Sequence, residues 1–160
     1  MPQELEIYQY DTATNTTLPL FLSPVAAGFP SPADDFLDKK LDLNEHLIKH
    51  PASTFFVKVK GDSMVKAGIH PGDILVVDRS LEPLDKKIVI AILDGEFTVK
   101  RIQKKGSQLF LASENENYQP IEVTDGADFE IWGVVTTVIH PVWINYSSLR
   151  ISVVHINSEW

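Results

Sequence analysis

The run VKGDSM at residues 59–64 decides how the rest of the chain is interpreted. Its first two residues are the end of the segment TFFVKVK (54–60), whose aromatic and β-branched residues indicate a strand. Gly61 permits backbone angles that other residues resist, so a sharp turn there can lift Ser63 out of the sheet. A serine hydroxyl becomes a useful nucleophile only with a base within hydrogen-bond reach. The segment therefore predicts a strand that ends in an exposed candidate nucleophile.

Lys100, in the strand-like run EFTVKRI (96–102), is the candidate base. Free lysine titrates near 10.4, so a lysine that is neutral near pH 7 needs its pKa depressed by roughly 3 units, about 4 kcal/mol. Burial among apolar neighbours can supply that shift, and Phe97, Val99 and Ile102 flank the lysine in sequence. The alternative interpretation is a solvated strand lysine beside Arg101.

Histidine offers no better base by its spacing. His46 and His50 are four residues apart on a predicted helix, which we interpret as a surface pair. The remaining histidines are His70, His140 and His155. None of the five histidines has the spacing of metal ligands together with a carboxylate partner. We therefore predict no metal and no cofactor.

Composition limits the classes of partner. The 160-residue chain has no cysteine and a net charge of −8, which argues against a DNA-binding face of its own. It has neither an apolar run of transmembrane length nor a secretory leader pattern, so we expect a soluble, cytoplasmic protein without a membrane partner.

The pattern from residue 54 onward predicts a mainly β, antiparallel fold. Predicted strands after the first cover 74–78, 88–93, 96–103, 108–112 and 130–140, with Asp94-Gly95 as a two-residue hairpin turn. Residues 1–27 lack Lys and Arg and are interpreted as a flexible N-terminal arm. The predicted domains are this arm, a β domain over 28–140 and an extension of unknown role over 141–160.

One or two short helices are predicted between the arm and the first strand. Ser31 and Asp34 have capping-box spacing before an apolar stripe of Phe36, Leu37 and Leu41. The spacing of Asp42 and Glu45 predicts a second helix, which Pro51 stops.

GDSM (61–64), followed by FTVK (97–100), resembles the self-cleaving LexA/UmuD family of serine peptidases. The runs AGFPSPA (27–33) and SENENYQPI (113–121) extend the resemblance, which covers roughly residues 20–138. It is strongest to the UmuD branch. It implies the fold of the LexA/UmuD C-terminal domain.

The resemblance also implies the site. Ser63 would be the nucleophile, Lys100 the base and Ala27-Gly28 the bond that the protein cuts in itself. Cutting there would remove the arm 1–27.

Three further residues are expected to support the cleft: Gly61, Asp62 and Met64. Met64 would pack beneath the nucleophile, and the turn that exposes Ser63 Oγ also exposes the N–H groups of Ser63 and Met64 as oxyanion donors. The turn GIHPGD (68–73) is expected to shape the cleft wall.

By the same resemblance, the protein would act in the SOS response to DNA damage. A RecA filament on single-stranded DNA would stimulate self-cleavage, and the cleaved homodimer would join a UmuC-like, Y-family error-prone DNA polymerase. Twenty-seven residues without Lys or Arg are not expected to form the DNA-binding domain of a repressor. A signal-peptidase-like hydrolase acting in trans and a non-enzymatic interaction module with a vestigial dyad are the alternatives.

Overall fold

The computed structural model describes residues 6–8, 17–21 and 37–142. The chain divides into two compact units, of which one contains 11–49 and the other 1–10 together with 50–160. The larger unit contains an eight-stranded antiparallel sheet, in the spatial order β1-β4-β5-β10-β6-β7-β8-β9. Its strands are β1 (Glu6–Tyr8), β4 (Thr54–Lys58), β5 (Ile74–Asp78), β6 (Ile88–Leu93), β7 (Glu96–Lys105), β8 (Gln108–Ala112), β9 (Ile121–Val123) and β10 (Phe129–Ile139). The predicted mainly β, antiparallel fold is confirmed.

The strand β10 is central to this sheet because it pairs with β5 along one part of its length and with β6 along another. Its register shifts between Val135 and Thr137 on one side and between Ile131 and Gly133 on the other. Irregularities of this kind increase the local twist and bend of a strand. A single strand can thereby join the β4-β5 half of the sheet to the β6-β7-β8-β9 half.

The core is built from fully buried aliphatic side chains of the central strands. One cluster includes Val57, Leu75 and Ile90, and a second includes Val89 and Ile102. Adjacent residues such as Val89 and Ile90 belong to different clusters because successive side chains of a strand point to opposite faces. The sheet is therefore packed on both faces.

The hairpin between β6 and β7 forms as the sequence predicts. Leu93 pairs with Glu96, and the two turn residues Asp94 and Gly95 both have positive φ, 51° and 80°. Two such residues are the requirement of the turn type whose twist matches antiparallel strands. This tight connection sets the register that places Lys100 opposite Val89.

One predicted helix is wrong in the smaller unit. Residues 37–42, expected to continue a helix from Ser31, form strand β3 (Leu37–Asp42), which pairs antiparallel with β2 (Thr17–Phe21). The spacing of Leu37 and Leu41 suits a helix, but backbone pairing with a distant strand outweighs such a weak local preference. The part of that helix before residue 37 lies outside the described residues.

The second predicted helix forms as α1 (Leu43–Leu47), but it ends at Leu47, before Pro51, so the prediction that Pro51 stops it is wrong. Asp42 caps it, since its carboxylate accepts hydrogen bonds from the backbone N–H groups of Asn44 (2.8 Å) and Glu45 (3.4 Å). Two short 3-10 helices, Pro51–Ser53 and Val65–Ala67, belong to the larger unit.

Asp78, at the end of β5, is a buried carboxylate with a full set of hydrogen-bond partners. Its Oδ2 lies 2.6 Å from His50 Nδ1, and its Oδ1 accepts hydrogen bonds from Ser53 Oγ (2.9 Å) and from Ser80 N (2.8 Å) and Oγ (2.7 Å). Burial raises the pKa of Asp78, but the hydrogen bonds from His50, Ser80 and Ser53 outweigh it and lower the pKa to about 2.

We expect Asp78→Asn to destabilise the fold by about 2 kcal/mol at neutral pH, because a pKa lowered from 3.8 to about 2 corresponds to that free energy. The stabilisation is fully present above pH 3.8 and is lost as the pH falls toward 2, so the variant and wild type should converge in acid. Urea unfolding at pH 7 and pH 3 measures both effects. The exposed Asp125→Asn is the matched control, and equal losses in the two variants would contradict the assignment.

Candidate active site

The candidate nucleophile lies in the connection that follows β4. Gly61 has φ 79°, a conformation that favours glycine, and it turns the chain as the sequence predicts. Two residues later Ser63 lines an open cleft, while the next residue, Met64, is buried in the core with 2% of its surface exposed. Met64 thus belongs to the core directly beside the turn that presents the serine, and its packing beneath the nucleophile stays a prediction.

Lys100 reaches Ser63 from the facing strand β7. Its Nζ lies 3.1 Å from Ser63 Oγ and donates a hydrogen bond to the carbonyl oxygen of Val99 (3.2 Å). The lysine is 7% exposed. Burial lowers its pKa, because an apolar environment disfavours the charged ammonium. The structure thus brings together the two residues that the sequence paired across 37 positions, in an environment that favours a neutral amine.

Asp62 is held by the segment that follows β8. The Tyr118 hydroxyl donates a hydrogen bond to Asp62 Oδ1 (2.6 Å), and Asn115 Nδ2 donates one to the Asp62 carbonyl oxygen (2.9 Å). The hydrogen bond to Asp62 and the carboxylate charge raise the pKa of the Tyr118 hydroxyl. Sequence reasoning gave Asn115 and Tyr118 no role in the site, although both belong to the run 113–121 that carried the resemblance.

Backbone contacts fix the same segment against the nucleophile. The N–H of Glu114 donates to the Ser63 carbonyl oxygen (2.8 Å), and the carbonyl oxygen of Glu114 accepts from the N–H of Lys66 (2.9 Å). The Glu114 carboxylate forms an ion pair with Arg101. Arg101 is the neighbour of Lys100 in β7. Glu114 therefore contacts both the backbone of the candidate nucleophile and the residue next to the candidate base.

The cleft around the pair has a volume of about 320 Å³. It is lined by Gly61, Asp62, Ser63, Leu93, Glu96, Phe97, Thr98, Lys100, Ser113, Tyr118, Gln119 and Ile121. Its side chains come from the β4–β5 connection, from the β6–β7 hairpin and from the segment after β8. Strands β6 and β7 therefore form one wall, against which an extended peptide can lie.

Two backbone donors adjoin the nucleophile. Within residues 37–142, neither the N–H of Ser63 nor that of Met64 donates a hydrogen bond to another protein group. Such donors are available for the negative charge that develops on a carbonyl oxygen under attack. Their assignment as oxyanion donors stays a prediction.

Two predicted features lie outside the described residues. They are the scissile pair Ala27-Gly28 and the extension from residue 143 to the end of the chain.

The turn at residues 68–73 does not line the cleft, and the prediction that it forms the cleft wall is wrong. Ile69 is buried in the core with 1% of its surface exposed. The N–H of Val59, which follows β4, donates to the Asp73 carbonyl oxygen (2.8 Å), and the Val59 carbonyl oxygen accepts from the N–H of Gly72 (2.9 Å). The turn is thus hydrogen-bonded to the segment that leads from β4 to Ser63. It also brings His70 and Asp73 together with His140, three side chains whose chain spacing showed no ligand pattern.

His46 and His50 are not on one helix, because α1 ends at Leu47. His46 is exposed, and His50 is hydrogen-bonded to Asp78. Both histidines are exposed, as the surface interpretation predicted, but the prediction that one helix carries them is wrong. In the described part of the chain, no helix is long and apolar enough to cross a membrane.

The fold and the Ser63–Lys100 contact define a class of protein, a mainly β domain whose open cleft holds a serine and a lysine within hydrogen-bond distance. The family model described as "Peptidase S24-like" matches residues 19–136. Because this match covers most of the chain, the protein belongs to the peptidase S24-like family.

Characterised relatives cover most of the chain as well. Protein SamA of Salmonella typhimurium is 47% identical over 125 residues, which are 78% of this chain and 86% of SamA. Protein MucA of Escherichia coli is 38% identical over 143 residues, 87% of this chain and 97% of MucA. The LexA repressor of Shewanella denitrificans is 38% identical over 119 residues, 74% of this chain and 57% of the repressor.

Proposed function

We propose that the protein is a self-cleaving serine peptidase that cuts its own Ala27-Gly28 bond with Ser63 as nucleophile and Lys100 as base. The observation that carries the proposal is the 3.1 Å distance between Lys100 Nζ and Ser63 Oγ, combined with the burial of the lysine. A buried amine that is neutral can accept the hydroxyl proton, which a solvated ammonium cannot do. Membership of the peptidase S24-like family supports the same chemistry.

The proposed reaction has two stages. Neutral Lys100 takes the proton of Ser63 Oγ, which attacks the Ala27 carbonyl carbon, while the N–H groups of Ser63 and Met64 stabilise the oxyanion. The Ala27–Gly28 bond then breaks, and the lysine ammonium gives its proton to the departing Gly28 amine. Water hydrolyses the ester between Ser63 and Ala27, which releases residues 1–27 and restores the hydroxyl.

Docking of the scissile segment provides the proposed control. If the segment occupies the cleft only a small fraction of the time, the cleavage rate falls by that fraction, and a partner that stabilises the docked state restores it. By resemblance, we assign this role to the RecA filament on single-stranded DNA, in the cytoplasm. The cleaved protein, as a homodimer of domain 28–140 with extension 141–160, would then join a UmuC-like, Y-family error-prone polymerase. The identity of 38% over 97% of MucA supports the resemblance on which this assignment rests.

Incubation with activated RecA tests this proposal. Mass spectrometry should find loss of the first 27 residues with RecA, single-stranded DNA and nucleotide, and far slower loss without them. Light scattering on the same samples should find a dimer before and after cleavage. A chain that stays intact at neutral and alkaline pH would favour an interaction module with a vestigial dyad, and a monomer would contradict the proposed assembly.

The pH dependence tests the lysine base. Because burial lowers the pKa of Lys100, the neutral fraction grows as the pH rises toward that pKa and is complete above it. We therefore expect RecA-independent cleavage to rise with pH, by at most about tenfold per pH unit, and to level off once the amine is fully neutral. Quenched time courses between pH 6 and pH 11 measure the profile.

Tyr118→Phe is the matched control for that profile. Tyr118 lines the same cleft and also loses a proton in alkali, although its hydrogen bond to Asp62 raises its pKa. The phenylalanine variant keeps the ring and removes the titrating group, so it should retain the alkaline rise. A profile that is flat in wild type, or that disappears in this variant, would exclude Lys100 as the titrating base.

A further inference from the structure

The turn at residues 68–73 and the end of β10 place two histidines around a buried carboxylate. His140 Nδ1 lies 2.6 Å from Asp73 Oδ1, and His70 Nδ1 lies 3.8 Å from Asp73 Oδ2. The two imidazole rings are 5.1 Å apart, and one donor atom from each residue lies within 4.8 Å of the others. From this arrangement we infer a binding site for a divalent transition metal, of which Zn²⁺ is the representative, formed by His70, Asp73 and His140.

The chemistry of the donors selects the class of ion. Two imidazole nitrogens with one carboxylate oxygen suit Zn²⁺ and its transition-metal neighbours, whereas Mg²⁺ and Ca²⁺ prefer sites made of oxygen atoms. Three protein ligands leave one position of a tetrahedral ion for water. Since both histidine side chains are about half exposed, that position faces solvent and gives the ion an entry path.

The carboxylate is preorganised as a ligand. Asp73 is 1% exposed, and its Oδ2 accepts a hydrogen bond from the backbone N–H of His70 (2.7 Å). Its carbonyl oxygen accepts another from the N–H of Val59 (2.8 Å). The bond from Val59 holds the backbone of Asp73, whereas the bond from His70 orients its carboxylate; hydrogen bonds that orient a ligand contribute strongly to metal affinity.

Small movements would complete the coordination. Metal–ligand bonds of about 2.0–2.2 Å in a tetrahedron place ligand atoms about 3.3–3.6 Å apart. The contact between His140 and Asp73 would open by several tenths of an ångström, and His70 would rotate inward. The half-exposed imidazoles can make both movements while the buried Asp73 stays in place.

The bound metal would join two distant parts of the chain. His70 and Asp73 lie in the turn that contacts Val59, shortly before Ser63, and His140 is the first residue after β10. None of the three lines the cleft. The metal would therefore link the turn 68–73, which contacts the segment before Ser63, to the end of β10. This role would be independent of the proposed peptidase activity.

Titration of Zn²⁺ into the full-length chain, prepared without a histidine-rich tag, tests the site. We expect one Zn²⁺ per chain, and a Zn²⁺ concentration near 100 times Kd should raise the midpoint of thermal unfolding by roughly 5–10 °C. Co²⁺ should give the intense visible absorption of a four-coordinate ion, and Mg²⁺ should not compete. His70→Ala and His140→Ala should each weaken Zn²⁺ binding by about 100-fold or more, since loss of an outer-shell partner alone costs about 10–100-fold.

His50→Ala is the matched control, because His50 contacts a buried aspartate at the same 2.6 Å distance but contributes to no three-donor cluster among the described residues. It should bind Zn²⁺ as wild type does. Both histidine substitutions are at half-exposed positions, so the variants should fold, and circular dichroism checks this. No binding at 100 µM Zn²⁺, or binding that survives both substitutions, would overturn the site and leave Asp73–His140 as a hydrogen bond only.

Discussion

Replacing Ser63 or Lys100 by alanine is expected to leave the full-length chain intact where the wild type loses its first 27 residues. Ser63→Ala removes the atom that forms the covalent intermediate, so no cleavage should be detectable. Lys100→Ala removes the base 3.1 Å from that atom, and loss of a positioned base costs about 10²–10⁴-fold. The double variant should be no slower than Ser63→Ala, because residues that act as a unit are not additive. Mass spectrometry over a time course at alkaline pH compares the three variants with wild type.

Exposed positions of the same residue types supply the controls. Ser107 lies in the β7–β8 turn, and Lys104 is on β7 four residues beyond Lys100. Ser107→Ala and Lys104→Ala should cleave as wild type does. Normal cleavage in Ser63→Ala or Lys100→Ala, with thermal unfolding unchanged, would show that the two residues are not the nucleophile and base. A histidine would then be the next candidate for the base.

Gly28→Val is expected to slow cleavage at the proposed bond by at least about 100-fold. A branched side chain next to the scissile carbonyl obstructs the approach of Ser63 Oγ, and a displacement of about 1 Å in such a geometry can cost that factor. This substitution leaves Ser63 and Lys100 unchanged, so a loss of cleavage together with unchanged thermal unfolding would come from the substrate segment alone. Intact-mass analysis after incubation with activated RecA measures the loss.

The sequence contains a second Ala-Gly pair, Ala67-Gly68, which provides an internal control. Its N–H groups donate to the carbonyl oxygens of Met64 (2.9 Å) and Val65 (3.0 Å), so the bond lies in a closed turn and cannot extend into the cleft. All cleavage should therefore occur after Ala27. Fragments that end at Ala67, or a Gly28→Val chain cut at the wild-type rate, would refute the placement of the scissile bond.

Much of the sheet could be predicted because its strands are short, apolar and bounded by turn residues. Strands β5, β6 and β8 begin and end where the pattern indicates, and Asp94-Gly95 forms the expected hairpin. The pairing of Ser63 with Lys100 followed from the same local patterns together with the family motifs. These features depend on neighbours in sequence, which is why they could be predicted.

The tertiary structure decided what depends on residues far apart in the chain. Residues 37–42 form β3, not a helix, because β2 supplies a hydrogen-bonding partner that local spacing does not reveal. Tyr118 reaches Asp62 across 56 positions, and His140 reaches Asp73 across 67. Periodicity and motif spacing describe a side chain's own strand or turn, whereas these contacts arise only when the sheet brings distant segments together. The sequence by itself determined the strands, the hairpin and the candidate dyad; the folded chain alone determined the supports of the cleft and the His70–Asp73–His140 cluster.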